Sequence, residues 1–430
     1  MKKLLVVIGA GASIEFGMPS VIAIDQLFDK WSQRYFPLID GRSFDDNLYR
    51  WVKENYKVSN KDDSNFEDTL YTVQTLSSFN EGDARKVIRQ SDYTTIKDSP
   101  KIRAFHGYET IAETRDFFSM HALLNDELMS YFRNKCSKLE IEKKPELEKV
   151  SQFFNYLKSL TIEEYNTFIV LGFINLNYDN VVLSAIPELK TGFDSDTGKF
   201  DMSTLFKDDW NFCYHIHGSA HFDMRDNEEI FWNKDLADKF GLGPKNRRSF
   251  ETPEGLQHPM SSIITGLDKI NQIYREPFRQ YFFQLNQKIH ESDAILFIGY
   301  GFNDSYLNDL MRTHSKDKSK RRNIVVIDYQ DENLRSLSEG GNEWGYKLLS
   351  AAATPFYQMG NGSTNLIYRP DKVSEYKNTK TFEFSDSYDN PLYVWYSGFL
   401  DACKNKEKVK KALDGYDYEP DGSLSKIKYF

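Results

Sequence analysis

Cysteine is scarce in this chain of 430 residues. Cys136, Cys213 and Cys403 are widely scattered and odd in number, so neither a disulfide framework nor a four-cysteine zinc site can be built from them. Long apolar runs are missing as well: none approaches the roughly 18 to 20 residues that a membrane span needs. Met1-Lys2-Lys3 leads directly into a short apolar stretch and not into a cleavable leader, so a cytoplasmic protein without membrane contact is expected. Positive charge is not in excess either. A formal charge of -9 argues against a chain that coats nucleic acid through bulk charge. Internal repeats and low-complexity tracts are absent.

The chain is organised around its first turn. Residues 4–8 form an unbroken apolar run with β-branched side chains, the pattern of a strand buried on both faces of a parallel sheet. Gly9-Ala10-Gly11-Ala12-Ser13 follows at once, then Gly17-Met18-Pro19. Gly9 and Gly11 allow a tight turn and a close backbone approach, and Ser13 stands where a helix would begin. Such a turn suits a phosphate. The third glycine of the dinucleotide fingerprint is not supplied by Ser13-Ile14, so a turn whose glycines serve packing alone stays open.

Length allows two or three domains with a large core, and an aromatic share of 15% speaks against disorder over most of it. From Ser20 to about Leu160 strand signals are weak and helical spacing is frequent. Phe117, Met120, Leu124, Leu128 and Phe132 share one face, as do Leu147, Val150, Phe153, Phe154 and Leu157. The polar stretch 56–64 reads as a loop. Four more buried strands are expected at 168–176, 210–216, 294–298 and 323–327. Each ends in a small or polar group: Asn177-Tyr178-Asp179, His217-Gly218-Ser219, Gly299-Tyr300-Gly301-Phe302-Asn303-Asp304, and Asp328. In open α/β sheets these carboxyl ends are where ligands bind. Residues 241–262 read as a long exposed loop, and 266–292 as a long helix interrupted or kinked at Pro277. The lysines of 404–411 and the basic run 316–322 are expected to be solvated helix faces.

The fold class expected is therefore α/β, a Rossmann-like parallel sheet with a large, mostly helical insertion. Residues 1–30 and 161–335 would form the sheet domain and 31–160 the insertion. Residues 336–430 would be a C-terminal extension packing on the core or on a partner.

Gly9-Ala10-Gly11 with Ser13, then Gly17 and Pro19, then Asn177 and Asp179, then His217-Gly218-Ser219, in this order at strand ends, resembles the sirtuin fold family. That family binds NAD and breaks the bond between nicotinamide and ribose. The resemblance implies catalytic roles for Asn177, His217 and Asp179, and NAD contacts from Gly9, Ala10, Gly11, Ser13, Gly299, Asn303 and Asp328. Asn177 would orient the ribose or a water, since its amide both donates and accepts. His217 would accept a proton near neutral pH. Asp179 would sit beside the growing positive charge or merely cap the following helix, and Asp328 would take adenosine ribose hydroxyls or act as a cap.

The departures from the family pattern matter equally. Protein-deacylating sirtuins carry a four-cysteine zinc module that this chain cannot make, so no metal and no structural zinc is expected. Ser20-Val21 stands where deacylases show Phe-Arg, and the insertion takes the room of an acyl-lysine peptide; these count against deacylation. What remains resembles the sirtuin-like NAD hydrolases of bacterial antiviral defence. That resemblance implies NAD as substrate, a homo-oligomer held inactive until triggered, and a HerA-type ATPase as partner, with nucleic acid met only through that complex. Alternatives are a module that senses NAD or ADP-ribose without cleaving it, and a nuclease subunit of the same complex.

Overall fold

The computed structural model describes residues 2–39, 46–56, 65–78, 99–103, 107–158, 169–207, 209–224, 229–237, 249–251, 257–259, 261–266, 272–317, 319–320, 322–330, 343–353, 370–385, 391–414, 416–418 and 424–426. Its centre is a seven-stranded sheet. The strands are β1 (Lys2–Ile8), β2 (Ile169–Asn175), β3 (Phe212–His215), β4 (Ala294–Ile298), β5 (Asn323–Ile327), β6 (Glu383–Ser385) and β7 (Leu392–Trp395). Their spatial order is β6-β7-β5-β4-β1-β2-β3, and all pairs are parallel except β6 with β7. The order reverses between β1 and β4. In such a Rossmann-type sheet that reversal opens a crevice at the carboxyl ends of the two strands.

Both faces of the sheet are buried, and β1 shows why its sequence is an unbroken apolar run. Leu4, Val6 and Ile8 enter one core, with Phe117 and Leu124 of the helix Thr114–Glu142 and Phe153 and Phe154 of the helix Lys144–Lys158. Leu5 and Val7 enter the other, with Tyr281 and Leu285 of the helix Phe278–Glu291 and Met311 of the helix Ser305–Ser315. Alternation along the strand sends neighbouring side chains to opposite layers. Among the described residues, five helices lie between β1 and β2 beyond the first turn: Val21–Tyr35, Leu48–Asn55, Phe66–Ser78, Thr114–Glu142 and Lys144–Lys158.

Several expectations are corrected. The sheet does not end at residue 327: β7 pairs with β5 in parallel register, Ile324 opposite Leu392, so part of the last ninety residues is sheet and not an appended extension. The helix expected from 266 begins only at Phe278, with Pro277 at its N-cap. The long loop at 241–262 contains a hairpin, Ser249–Glu251 with Gln257–Pro259; Arg247-Arg248 and the stretch 57–64 fall outside the described residues. The lysine-rich helix is two helices, Phe399–Lys404 and Lys406–Asp414. In the basic run, Arg322 is buried and donates to the carbonyls of His290, Ser292 and His314 at two helix ends. Among the described residues no helix is long and apolar enough to cross a membrane.

Candidate functional site

The first turn and the loop after β4 meet at the reversal of strand order, and they meet backbone to backbone. A Cβ on Gly9 would stand 2.5 Å from the Gly299 carbonyl oxygen, and one on Gly299 would stand 1.9 Å from the Ala12 nitrogen. Gly299 also has φ +60, a left-handed conformation that favours glycine. The Gly11 amide donates to Gly299 O at 2.9 Å, Ala12 to Gly9 O at 3.0 Å and Ser13 to Ala10 O at 3.1 Å. With the Gly9 amide, which donates to Ile298 O at 2.9 Å, four of the turn's amides thus serve the protein itself, against the expectation that they face a ligand. The Ala10 amide has no protein acceptor among the described residues and lies in an exposed residue lining the crevice.

Asn177 follows β2 and crosses to this turn. Its Nδ2 donates to Gly9 O at 2.9 Å and to Ser13 Oγ at 3.0 Å, and its backbone amide is held by Asn175 Oδ1. The acceptors fix the orientation of the side-chain amide. With both of its hydrogens spent inside the protein, what Asn177 offers a ligand is its Oδ1, the negative end of the amide dipole.

Asp179 is fully buried between the two roles considered for it. Its Oδ1 accepts the Val181 amide at 3.0 Å, capping the short helix Val181–Ala185, and its carboxylate also bonds with Ser13. Burial raises its pKa above the ordinary carboxylate value, against the opposing effect of those hydrogen bonds.

His217 follows β3 in a turn that requires Gly218, whose φ is +102 and whose added Cβ would meet Ser262 O at 2.8 Å. The turn is pinned from the segment behind it, Ile264 N donating to His217 O at 2.8 Å. Buried Arg133 of the helical insertion clasps its far side through the carbonyls of Ala220 and Phe222. The imidazole Nδ1 lies 3.2 Å from Leu176 O, and Nε2 lies 3.0 Å from Asp304 Oδ2. Both partners are acceptors, so the ring can donate to either.

Asp304 is the residue that sequence reasoning passed over. Its Oδ1 accepts the Leu307 amide at 3.0 Å as the N-cap of Ser305–Ser315, while the other oxygen reaches His217. His215, two residues before His217, is buried too; its Nδ1 lies 3.4 Å from the Asn177 carbonyl, and burial lowers its pKa to about 3.

Ala10, Ser13, Asn177, Asp179 and His217 line one pocket together with Phe66 and Glu67 of the insertion. The remaining candidates lie elsewhere. Gly299 packs behind the first turn, and Asn303 accepts from Lys347 Nζ at 2.7 Å. Asp328, at the end of β5, accepts from the Tyr329 amide and the Gln330 side chain, and burial raises its pKa to about 6.

Residues 171–344 match the family model described as SIR2-like domain. That span starts within β2 and takes in the Asn177, His217 and Asp304 turns, and it supports a sirtuin-like assignment for this part of the chain. No curated protein matches the chain. Among the solved structures that are similar at low identity are the following three. One, titled for the mechanism and regulation of Sir2 enzymes, is 12% identical with a TM-score of 0.29, covering 77% of this chain and 82% of its own. A Sir2 homologue mutant with ADP ribose is 11% identical with a TM-score of 0.29, covering 82% and 90%. A Sir2 homolog–NAD complex is 12% identical with a TM-score of 0.31, covering 82% of each chain.

Proposed function

We propose that this chain is an NAD glycohydrolase: water replaces nicotinamide at the anomeric carbon of NAD, giving nicotinamide and ADP-ribose. The observation that carries this reading is the convergence of Asn177 and His217, from two different strand ends, on one pocket beside the first turn. As nicotinamide departs with the bonding electrons, positive charge grows on the ribose. The Asn177 Oδ1 is an acceptor of the right sign to stabilise it. Attack by water releases a proton, which the His217–Asp304 pair takes up. The Ala10 amide is the donor the turn has left for a phosphate.

The pocket is narrow. Its volume is about 80 Å³, against the roughly 300–1,000 Å³ of small-molecule sites, and both nitrogens of His217 are engaged. On this reading Phe66 and Glu67 must withdraw before NAD can be turned over. A pocket too small for NAD suits an enzyme whose activity would deplete NAD. We therefore read the chain as an antiphage effector in the cytoplasm, a homo-oligomer opened by a trigger acting through a HerA-type ATPase, with NAD as substrate and no structural zinc.

The test is product analysis. The purified chain, alone and with such a partner, is expected to yield nicotinamide and ADP-ribose in equal amounts from NAD. Stable NAD binding with no nicotinamide in either case would replace this reading by that of a sensor.

A further inference from the structure

The turn that carries His217 is held from two sides by one helix of the insertion, Thr114–Glu142. On one side Arg133, 4% exposed, donates from Nε to Ala220 O at 3.0 Å and from Nη2 to Phe222 O at 2.9 Å. Asp223 Oδ1, 3.9 Å from Nη2, answers its charge. The two carbonyls belong to residues two apart, and a planar guanidinium is the side chain whose fixed donors take both at once. On the other side Asn125 Oδ1 accepts from Thr265 Oγ1 at 3.1 Å. Thr265 follows Ile264, whose amide donates to His217 O at 2.8 Å. Gln272 fixes that backbone, accepting from Thr265 N and donating to Thr265 O.

Asn125 and Arg133 are eight positions apart, a spacing that keeps both on one side of a helix, about 12 Å from each other along its axis. Phe132 of the same helix reaches the wall of the crevice pocket and packs edge-on against Tyr178, ring centroids 5.5 Å apart. Tyr178 ties the two gripped segments together: its carbonyl accepts the Ala220 amide at 2.6 Å and its hydroxyl donates to Ile264 O at 2.9 Å. The helix Phe66–Ser78, which brings Phe66 and Glu67 to the pocket, packs on the same helix.

A buried charged fork adds little to stability that apolar packing would not. What it adds is direction, because two hydrogen bonds from one rigid plane fix residues 220–222 in both distance and orientation. We infer that Arg133 is a positioning residue: it sets the place of the His217 imidazole relative to the insertion, so that a movement of the insertion is felt at His217. Its bearing on turnover rests on the glycohydrolase reading; its effect on the imidazole does not.

NMR of the histidine imidazoles in the full chain, isotope-labelled at histidine and without NAD, tests this. Arg133→Lys keeps the charge but not the fork, and Thr265→Val removes only the hydroxyl that meets Asn125. Each is expected to shift or broaden the His217 signals, identified by their loss in His217→Ala, and to leave those of His290 and His314 in place. In the state where wild type releases nicotinamide, Arg133→Lys is expected to lower kcat at least about tenfold with KM for NAD within about twofold of wild type. Thr265→Val decides the matter if Arg133→Lys does not fold. His217 signals that stay in place in the folded variants, shifts shared by His290 and His314, or a raised KM with kcat unchanged would each overturn the inference. A chain that releases no nicotinamide in any state would overturn the glycohydrolase reading and leave the imidazole signals to decide this one.

Discussion

Asp304 divides its work between two oxygens, one on the Leu307 amide and one on His217, and the two can be separated. Asp304→Asn keeps an oxygen for the cap, so its stability is expected to stay within about 1 kcal/mol of wild type, while Asp304→Ala loses about 1–2 kcal/mol more. Nicotinamide release should fall in both, and denaturant melts beside turnover assays will separate cap from chemistry. From sequence Asp304 is only the last of the polar cluster after the strand 294–298, with no role of its own; in the structure it is a helix cap. The partner on its other oxygen is 87 positions away, beyond the reach of spacing. Asp328 offers a test by pH. Its pKa of about 6 exceeds the 3.8 of an ordinary Asp, so the folded state holds the proton more tightly than the unfolded one. The stability this confers is present below pH 4 and is lost as pH rises through 6. Asp328→Asn should match wild type at pH 4 and exceed it at pH 7 by roughly 2–3 kcal/mol, measured by urea unfolding at both pH values.

Strands and turns were legible where burial left one pattern to read. β1, β4 and β5 are apolar runs because both faces of each are covered, and their ends were found within a residue or two. β7 lies in the stretch expected to be a C-terminal extension, where Tyr393, Trp395 and Tyr396 give no strand alternation to read although all three are buried. The glycines were recognised for close approach, yet what approaches is the loop after β4, a contact no local spacing reveals. Gly299→Ala tests that contact directly: it drives a Cβ into the Ala12 backbone at a left-handed φ and should cost about 2–4 kcal/mol. Gly301→Ala, with an added Cβ meeting only the Asn303 side chain at 3.3 Å, should cost well under half as much in the same thermal melts.

At the scale of the molecule, the helical insertion lies over a crevice that the sheet has made. Its helices were visible in three-and-four spacing, but their position over the site was not, because it rests on long-range packing such as Phe66 edge-on to Phe28 at 5.4 Å. If the insertion holds the pocket shut, Phe66→Ala should raise nicotinamide release several-fold even as it lowers stability by about 3–5 kcal/mol; a fall in both would mean that Phe66 supports the open site. The convergence of Asn177 and His217 is tested most directly by nicotinamide release from NAD by wild type, Asn177→Ala and His217→Ala, in the state where wild type is active. Each substitution is expected to lower the rate at least about 100-fold, assayed below the melting temperature of the variant, since each also removes two hydrogen bonds and about 1–3 kcal/mol of stability. Release within tenfold of wild type in either variant would contradict the assignment.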